Sequence, residues 1–432
     1  TITWALALVD LDQDGDVDLL QADDQASIPP AAFGGVDRGF LQAFENDGRG
    51  FFTNVTFERA LDRPGAWMGL SFGDFDGNGT LDFFASNVGN QFAAGNSNQT
   101  DFSRFNGDSR WFLQSPGGRF FDRAELGQIH SPFGWGASAT DYDNDGATDL
   151  VFHGGLDLVT GVATNPGVLL RGTGSGEFHR DILALADSTD HTRRTVHGMA
   201  VGDLDGNGFP DIVSVSNFDI PDSVPLRPVP ELGSEFDRDA SWVSVFDFDR
   251  ETFSFQYSGA EFSDGTLAVE VNSGGNGNAW AKVRLVGGKG LIPGGKVNRD
   301  GIGAVVKFLP RPGDRWVAQP VLGGSSHASQ DALEKTFGLG PVARGHVEVL
   351  WPGGVRNRFY NLRAGESLVF LEIPCSFDAG LAFRPYLACV TNALDDLVQA
   401  GVLTRGLRTR FLMSALRAYS RNASPNCGGH QG

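Results

Sequence analysis

The residues best placed to do chemistry in this sequence are aspartates. In "ALALVDLDQDGDVDLL", Asp10, Asp12, Asp14, Asp16 and Asp18 hold alternate positions between two apolar runs. Carboxylates this close repel one another, and a folded chain keeps them together only if a cation neutralises them or water solvates them. The arrangement returns as "GDFDGNGTLDFF" from Gly73, "TDYDNDGATDLV" from Thr140 and "GDLDGNGFPDIV" from Gly202. The leading aspartates Asp10, Asp74, Asp141 and Asp203 lie 64, 67 and 62 residues apart. That regularity marks a repeated structural unit.

Each loop carries oxygen-bearing side chains at positions 1, 3, 5 and 9, and a glycine at position 6 lets the chain fold back. An all-oxygen set at this spacing suits Ca2+, which takes roughly six to eight oxygen ligands. The predicted ligands are Asp10, Asp12, Asp14 and Asp18; Asp74, Asp76, Asn78 and Asp82; Asp141, Asp143, Asp145 and Asp149; and Asp203, Asp205, Asn207 and Asp211. Position 7 is Asp16, Thr80, Ala147 or Phe209, so its backbone carbonyl is the only ligand the loops could share there. The expected cofactor is Ca2+, with one site in each of the four loops. An EF-hand needs a glutamate at position 12 and flanking helices. Here position 12 is Gln21, Ala85, Phe152 or Ser214, which excludes that motif.

The elements that must hold these loops read as strands. A small-residue apolar run precedes each loop (Ala5 to Val9, Gly69 to Phe72, Gly136 to Ala139, Gly198 to Val201), and a second strand follows it, as at Asp18 to Leu20 or Asp211 to Val215. Two more strands are predicted per unit; in the fourth they are "SWVSVFDFD" and "ETFSFQY". Four short antiparallel strands per repeat is the make-up of a β-propeller blade. "FDFDRETF" lacks both the glycine and the closing aspartate, so Asp247 and Asp249 read as hairpin residues.

With these loops and their strand context, residues 1–272 resemble the FG-GAP/VCBS repeats of integrin-α-like propellers, nearer to the VCBS variant because the Phe-Gly and Gly-Ala-Pro signatures are poorly kept. The resemblance implies one Ca2+ between the first two strands of each blade, and a ring commonly of seven blades. Four are visible here. Either the ring is small and closed, or about three further blades precede Thr1; the start inside a strand favours the second.

After "GTLAVEVNSGGNGNAW" the repeat gives way to alternating strands separated by glycine turns, predicting a small β-sandwich or barrel. The segments Asn276 to Trp280, Asn298 to Ala304, Gly323 to Gln330, Phe337 to Gly340 and Trp351 to Gly354 resemble, in this order, the ASPIC/UnbV domain of the cartilage acidic protein family. That resemblance, over residues 273–374, implies calcium binding and an extracellular setting, not a reaction. Ser325, Ser326 and His327 do not form a nucleophile elbow and read as a glycine-rich turn. His153 and His197 lie near calcium loops, but imidazole is a poor partner for a hard cation, so packing is their predicted role.

Residues 375–432 turn to helix formers. Val390, Ala393, Leu394, Leu397 and Val398 share one helical face with Gly401 as a stop; Leu407, Phe411, Leu412, Ala415, Leu416 and Tyr419 share another, opposite Arg405, Arg408, Arg410, Arg417 and Arg421. A helical hairpin is predicted, packed as a cap on the β domain. Cys375, Cys389 and Cys427 allow three pairings, of which Cys375 with Cys389 is the shortest.

Composition bounds the function. The 432-residue chain carries a formal net charge of −19, which repels nucleic acid and anionic lipid, and it has no apolar run of the roughly 20 residues that span a bilayer. The 59 glycines and 34 phenylalanines fit many short strands and turns. The sequence thus predicts a mainly β, secreted, periplasmic or cell-surface protein in which structural Ca2+ stiffens a propeller. Its expected role is adhesion, ligand binding or assembly scaffolding, with a protein or glycan partner or as one subunit of a larger assembly. The alternative is a propeller hydrolase or lyase with a site at the central channel, although no catalytic residue stands out.

Overall fold

The computed structural model describes residues 2–24, 39–88, 108–122, 133–158, 161–181, 183–184, 193–224, 227–228, 241–244, 246–249, 251–257, 259, 261–311 and 313–422. The chain is mainly β, with several antiparallel sheets and two C-terminal helices.

The first sheet runs β1 (Ile2–Val9), β2 (Asp18–Asp24), β3 (Leu41–Asn46), β4 (Phe52–Asn54), each strand antiparallel to the last. Its period-2 pattern buries Ala7, Val9, Leu20, Ala22, Leu41 and Ala43. The second sheet repeats this order in β5 (Leu70–Gly73), β6 (Asp82–Ala85), β7 (Arg110–Gln114) and β8 (Phe120–Asp122). The third holds β9 (Ala137–Thr140), β10 (Asp149–Leu158), β11 (Gly161–Gly172) and β12 (Phe178–Arg180). The fourth begins with β13 (Arg194–Gly202) and β14 (Asp211–Asp219). Shared apolar clusters join neighbouring sheets. Val9 and Leu20 meet Phe72 and Phe83 between the first two, Phe84 and Trp111 meet Leu150 and Phe152 between the next two, and Val151 meets Met199 and Ile212 between the last two.

The fourth unit departs from the sequence expectation. Next come β15 (Arg227–Pro228), β16 (Ser241–Ser244), β17 (Phe246–Asp249), β18 (Ser254–Tyr257), β19 (Ser263–Asp264) and β20 (Leu267–Glu270). The strands predicted to complete the fourth unit, Ser241 to Tyr257, do not pair with β14. Instead β16 extends the third sheet against β11, with β15 beyond it, and β17 and β18 form a separate hairpin. Besides β13, the partners of β14 are β19 and β20. The reason lies in the closing aspartate. In every unit it accepts a hydrogen bond from the backbone N–H at the end of the third strand: Asp18 from Asn46, Asp82 from Gln114, Asp149 from Gly172, and Asp211 from Asn272. An insertion in the fourth unit delays the strand that can make this bond. Asp249 is a hairpin residue as predicted, accepting from the amides of Glu251 and Thr252.

The remaining strands are β21 (Ala279–Val286), β22 (Val305–Leu309), β23 (Val317–Pro320), β24 (Lys335–Gly340), β25 (Arg344–Leu350), β26 (Arg356–Arg363) and β27 (Glu366–Leu371). They form two sheets, β24-β21-β27 and β23-β22-β25-β26, with β21 and β27 parallel. Both sheets and both helices contribute to one core, in which Val283, Phe308, Phe359, Phe370, Tyr386, Leu394 and Phe411 are buried. The helices span Phe383–Gln399 and Arg405–Asn422 and bury Val390, Ala393, Leu394, Leu397, Phe411 and Ala415 from the predicted faces. Gly401, at φ +74°, ends the first. The arginine face also packs: Arg410 pairs with Glu366, and the Arg417 guanidinium lies 4.4 Å from the Tyr360 ring centre. A Cys375–Cys389 disulfide ties the last strand to the first helix, while Cys427 lies outside the described residues.

One segment joins the two halves. Ala318 accepts from the Asp74 amide, Ser326 exchanges backbone hydrogen bonds with Leu70 and accepts through Oγ from the Ala137 amide, and Ala332 donates to the Val201 carbonyl. Residues 318–332 therefore cross the first strands of three consecutive repeat sheets. Ser325 is a turn hydroxyl, its Oγ accepting from the Asp331 amide, whereas the Ser326 hydroxyl serves the third repeat sheet. His327 lies 4.5 Å from Trp135 between ring centres, and His197 stacks on the same indole at 4.9 Å. His153 is buried in contact with Gly167, so neither repeat histidine takes part in an acidic cluster.

Candidate metal centres

The loop backbone explains how four copies of one motif hold their shape. Position 4 is left-handed in all four, at φ 59° for Gln13, 69° for Gly77, 57° for Asn144 and 80° for Gly206. Position 6 is always glycine, at φ 102°, 84°, 99° and 93° for Gly15, Gly79, Gly146 and Gly208. In the first three loops the leading aspartate accepts from the amides of positions 5 and 6: Asp10 from Asp14 and Gly15, Asp74 from Asn78 and Gly79, Asp141 from Asp145 and Gly146. The closing aspartate also accepts from the amide of position 2, at Leu11, Phe75, Tyr142 and Leu204.

These bonds bring positions 1, 3 and 9 together. In Asp10/Asp12/Asp18, Asp74/Asp76/Asp82, Asp141/Asp143/Asp149 and Asp203/Asp205/Asp211, one carboxylate oxygen from each residue lies within 4.8 Å of the other two. The predicted position 5 ligands Asp14 and Asp145 fall outside these groups. Asp14, Asn78, Asp145 and Asn207 instead accept from the amides of the position 7 residues Asp16, Thr80, Ala147 and Phe209.

The electrostatics are unfavourable without a cation. At an effective dielectric of about 20, two charges about 5 Å apart repel by roughly 3 kcal/mol, and three such pairs per loop rival the roughly 5–15 kcal/mol that holds a domain folded. Burial, reinforced by the neighbouring carboxylates, pushes Asp10 and Asp74 up to about 7. It pushes Asp18 up to about 6 and Asp82 up to about 8, and it raises Asp141 and Asp149 well above the ordinary carboxylate range. Among the described residues no ion pair reaches these six aspartates. The nearby cations do not reach them: Arg59 is on Asp12 at 3.3 Å, Arg171 is on Asp143 and Asp145 at 2.7 and 2.9 Å, and the partly buried Lys307, near Asp10 and Asp74, donates to the Gly79 carbonyl at 2.9 Å. An acceptor-only donor set of buried, mutually repelling carboxylates fits a hard divalent cation.

The fourth loop differs. Lys282 of β21 places its ammonium on Asp203, with side chains only 6% and 2% exposed, and the Asp203 Oδ1 bond goes to the Gly206 amide rather than to position 5. Sequence reading missed Lys282, Arg59 and Arg171, because each lies far along the chain from its loop. No local pattern marks Lys282: on β21 it lies on the face of Trp280 and Arg284, opposite Ala281, Val283 and Leu285, and it is buried all the same.

The loops are also linked to one another. Gln13 in the first donates to the Gly79 carbonyl in the second, and Asn144 in the third donates to the Gly208 carbonyl in the fourth, both at 3.0 Å. Gln114 at the end of β7 donates to the Leu11 carbonyl, and Asn272 donates to the Tyr142 carbonyl.

Residues 10–85 match the FG-GAP-like repeat family, and residues 294–375 match the ASPIC and UnbV family. The chain therefore carries both parts of the combination that its sequence resembles. No functionally curated protein matches it. Among solved structures, the V. cholerae biofilm matrix protein Bap1 is 12% identical, with 83% of this chain and 61% of that one covered at a TM-score of 0.22. This chain thus spans less than two thirds of that structure's length.

Proposed function

We propose that this protein is an extracellular or periplasmic calcium-binding β-propeller protein in which Ca2+ is structural. On this reading residues 1–272 are successive blades, residues 273–374 an ASPIC/UnbV-like domain, and residues 375–432 a helical cap. The observation that carries the reading is the convergence of three carboxylates in successive repeats, with the leading and closing aspartates of the first three loops free of any ion pair among the described residues. Asp10, Asp12 and Asp18, Asp74, Asp76 and Asp82, and Asp141, Asp143 and Asp149 would hold the ion, with position 5 side chains and position 7 carbonyls as further oxygen donors. The metal supplies positive charge and fixed coordination, and no reaction.

Two features support a binding or scaffold role. Segment 318–332 is hydrogen-bonded along the first strands of three sheets, which supports reading the repeat region as a platform. The far face of the first sheet exposes Leu6 and Leu8, and that of the fourth exposes Leu267 and Val269, which supports an arc of blades rather than a closed ring of four. A protein or glycan partner, or a larger assembly, is the proposed recipient of this platform. The disulfide supports an oxidising compartment.

The test is calorimetric titration of metal-stripped protein with Ca2+ and Mg2+. Calcium binding at micromolar to millimolar concentrations, with magnesium much weaker, is expected. Absence of calcium binding across that range overturns the reading.

A further inference from the structure

The four acidic loops share a sequence pattern, but the structure treats one of them differently. In the first three, the leading aspartate accepts, among the described residues, from backbone amides and from no side chain; Asp141 takes one of these from Gly338. In the fourth, the Lys282 ammonium lies directly on Asp203 Oδ2, the same oxygen that accepts from the Gly208 amide at 2.7 Å. Resting on the calcium reading above, we infer that Lys282 takes the place of the metal in the fourth loop. The protein then carries three calcium ions, and the fourth acidic loop is a docking socket for the strand that follows the repeats.

The geometry around Lys282 is built, not incidental. Its side chain is buried between the two halves of the molecule, and its Nζ lies 4.9 Å from the centre of the Trp280 ring. That indole rests on the loop itself: a Cβ at Gly208 would lie 1.9 Å from Trp280 Nε1. The position 5 amide of this loop is also bonded differently. The Asn207 amide bonds Asp205 alone, whereas the corresponding amides of Asp14, Asn78 and Asp145 are each shared with the leading aspartate, which at Asp203 receives the Gly206 amide. Arg59 and Arg171 act otherwise, since they touch position 3 or position 5 carboxylates and not the leading aspartate, and Arg171 is half exposed. A lysine held on the leading carboxylate would stand within a few ångströms of any divalent ion in the loop. Repulsion of a +2 ion by a +1 charge at that range in a partly buried site weakens binding by far more than tenfold.

The experiment counts ions in the whole chain. Native mass spectrometry at saturating Ca2+ should give three ions for the wild type and four for Lys282→Met, which keeps the side-chain length and removes the charge. A calcium-anomalous map of wild-type crystals should show peaks at the first three loops and none beside Asp203, and this holds whether or not the variant folds. Four ions in the wild type with one beside Asp203, or a folded Lys282→Met that still binds three, overturns the inference and leaves the calcium reading intact. No ion in any loop overturns the calcium reading, and this inference with it.

Discussion

Asp82 shows what the account demands of a single residue. It is fully buried, accepts from the amides of Phe75 and Gln114 at 2.7 Å each, and lies among the carboxylates of Asp74 and Asp76. Asp82→Asn keeps the shape but turns an acceptor-only group into one that also donates, leaving one of those amides facing an NH2. We expect a loss of about 1–3 kcal/mol in urea unfolding and of one bound calcium. The pH response of the metal-free protein follows from the same residues. Asp10, Asp18, Asp74 and Asp82 are pushed up to about 7, 6, 7 and 8, chiefly by burial, so the metal-free fold favours their protonated forms. The stability they give is fullest below about pH 4, where such groups are also protonated in the unfolded chain. It is lost progressively as pH rises from about 4, and is gone above about 8. Melting temperature in chelator should therefore fall across that interval, and saturating Ca2+ should abolish the fall. A melting temperature in chelator that rises from pH 5 to pH 8 contradicts the electrostatic description.

Among the elements, the loops depend on backbone that only certain residues tolerate. Gly208→Ala would force a side chain into a left-handed conformation and against the Trp280 indole, so it should cost about 1–3 kcal/mol and loosen the contact between β21 and the fourth loop. Hydrogen exchange at the amides of β21 reads this locally. The disulfide closes a separation of 14 residues, and its removal by Cys375→Ser with Cys389→Ser should cost about 2–4 kcal/mol in chemical unfolding. At this scale the sequence was legible where a pattern is local. The loops, the first two strands of every unit and both helical faces follow from period, spacing and capping signals. The outer strands of the fourth unit did not, because Ser241–Ser244 and Leu267–Glu270 are equally good strands on local grounds. Long-range contacts distinguish them: the ladder to β14 and the bond from Asn272 to Asp211. Lys282 was hidden for the same reason, its partner Asp203 lying 79 residues away.

For the whole molecule, the first three candidate metal centres lie where neighbouring parts of the chain meet. Gln13 and Gln114 tie the first loop to the second sheet, Gly338 donates to Asp141, and Gly353 donates to the Gly15 carbonyl. An ion that organises each loop therefore also organises contacts between sheets and between the repeats and the β21–β27 region. The central claim is that calcium replaces the protons or repulsion that these buried carboxylates would otherwise impose. The most direct test is the melting temperature of the intact chain at pH 7.5, with excess chelator and with millimolar Ca2+. A large upward shift with calcium, more than about 10 °C, that Mg2+ does not reproduce is expected. Identical melting temperatures in the two conditions would contradict it.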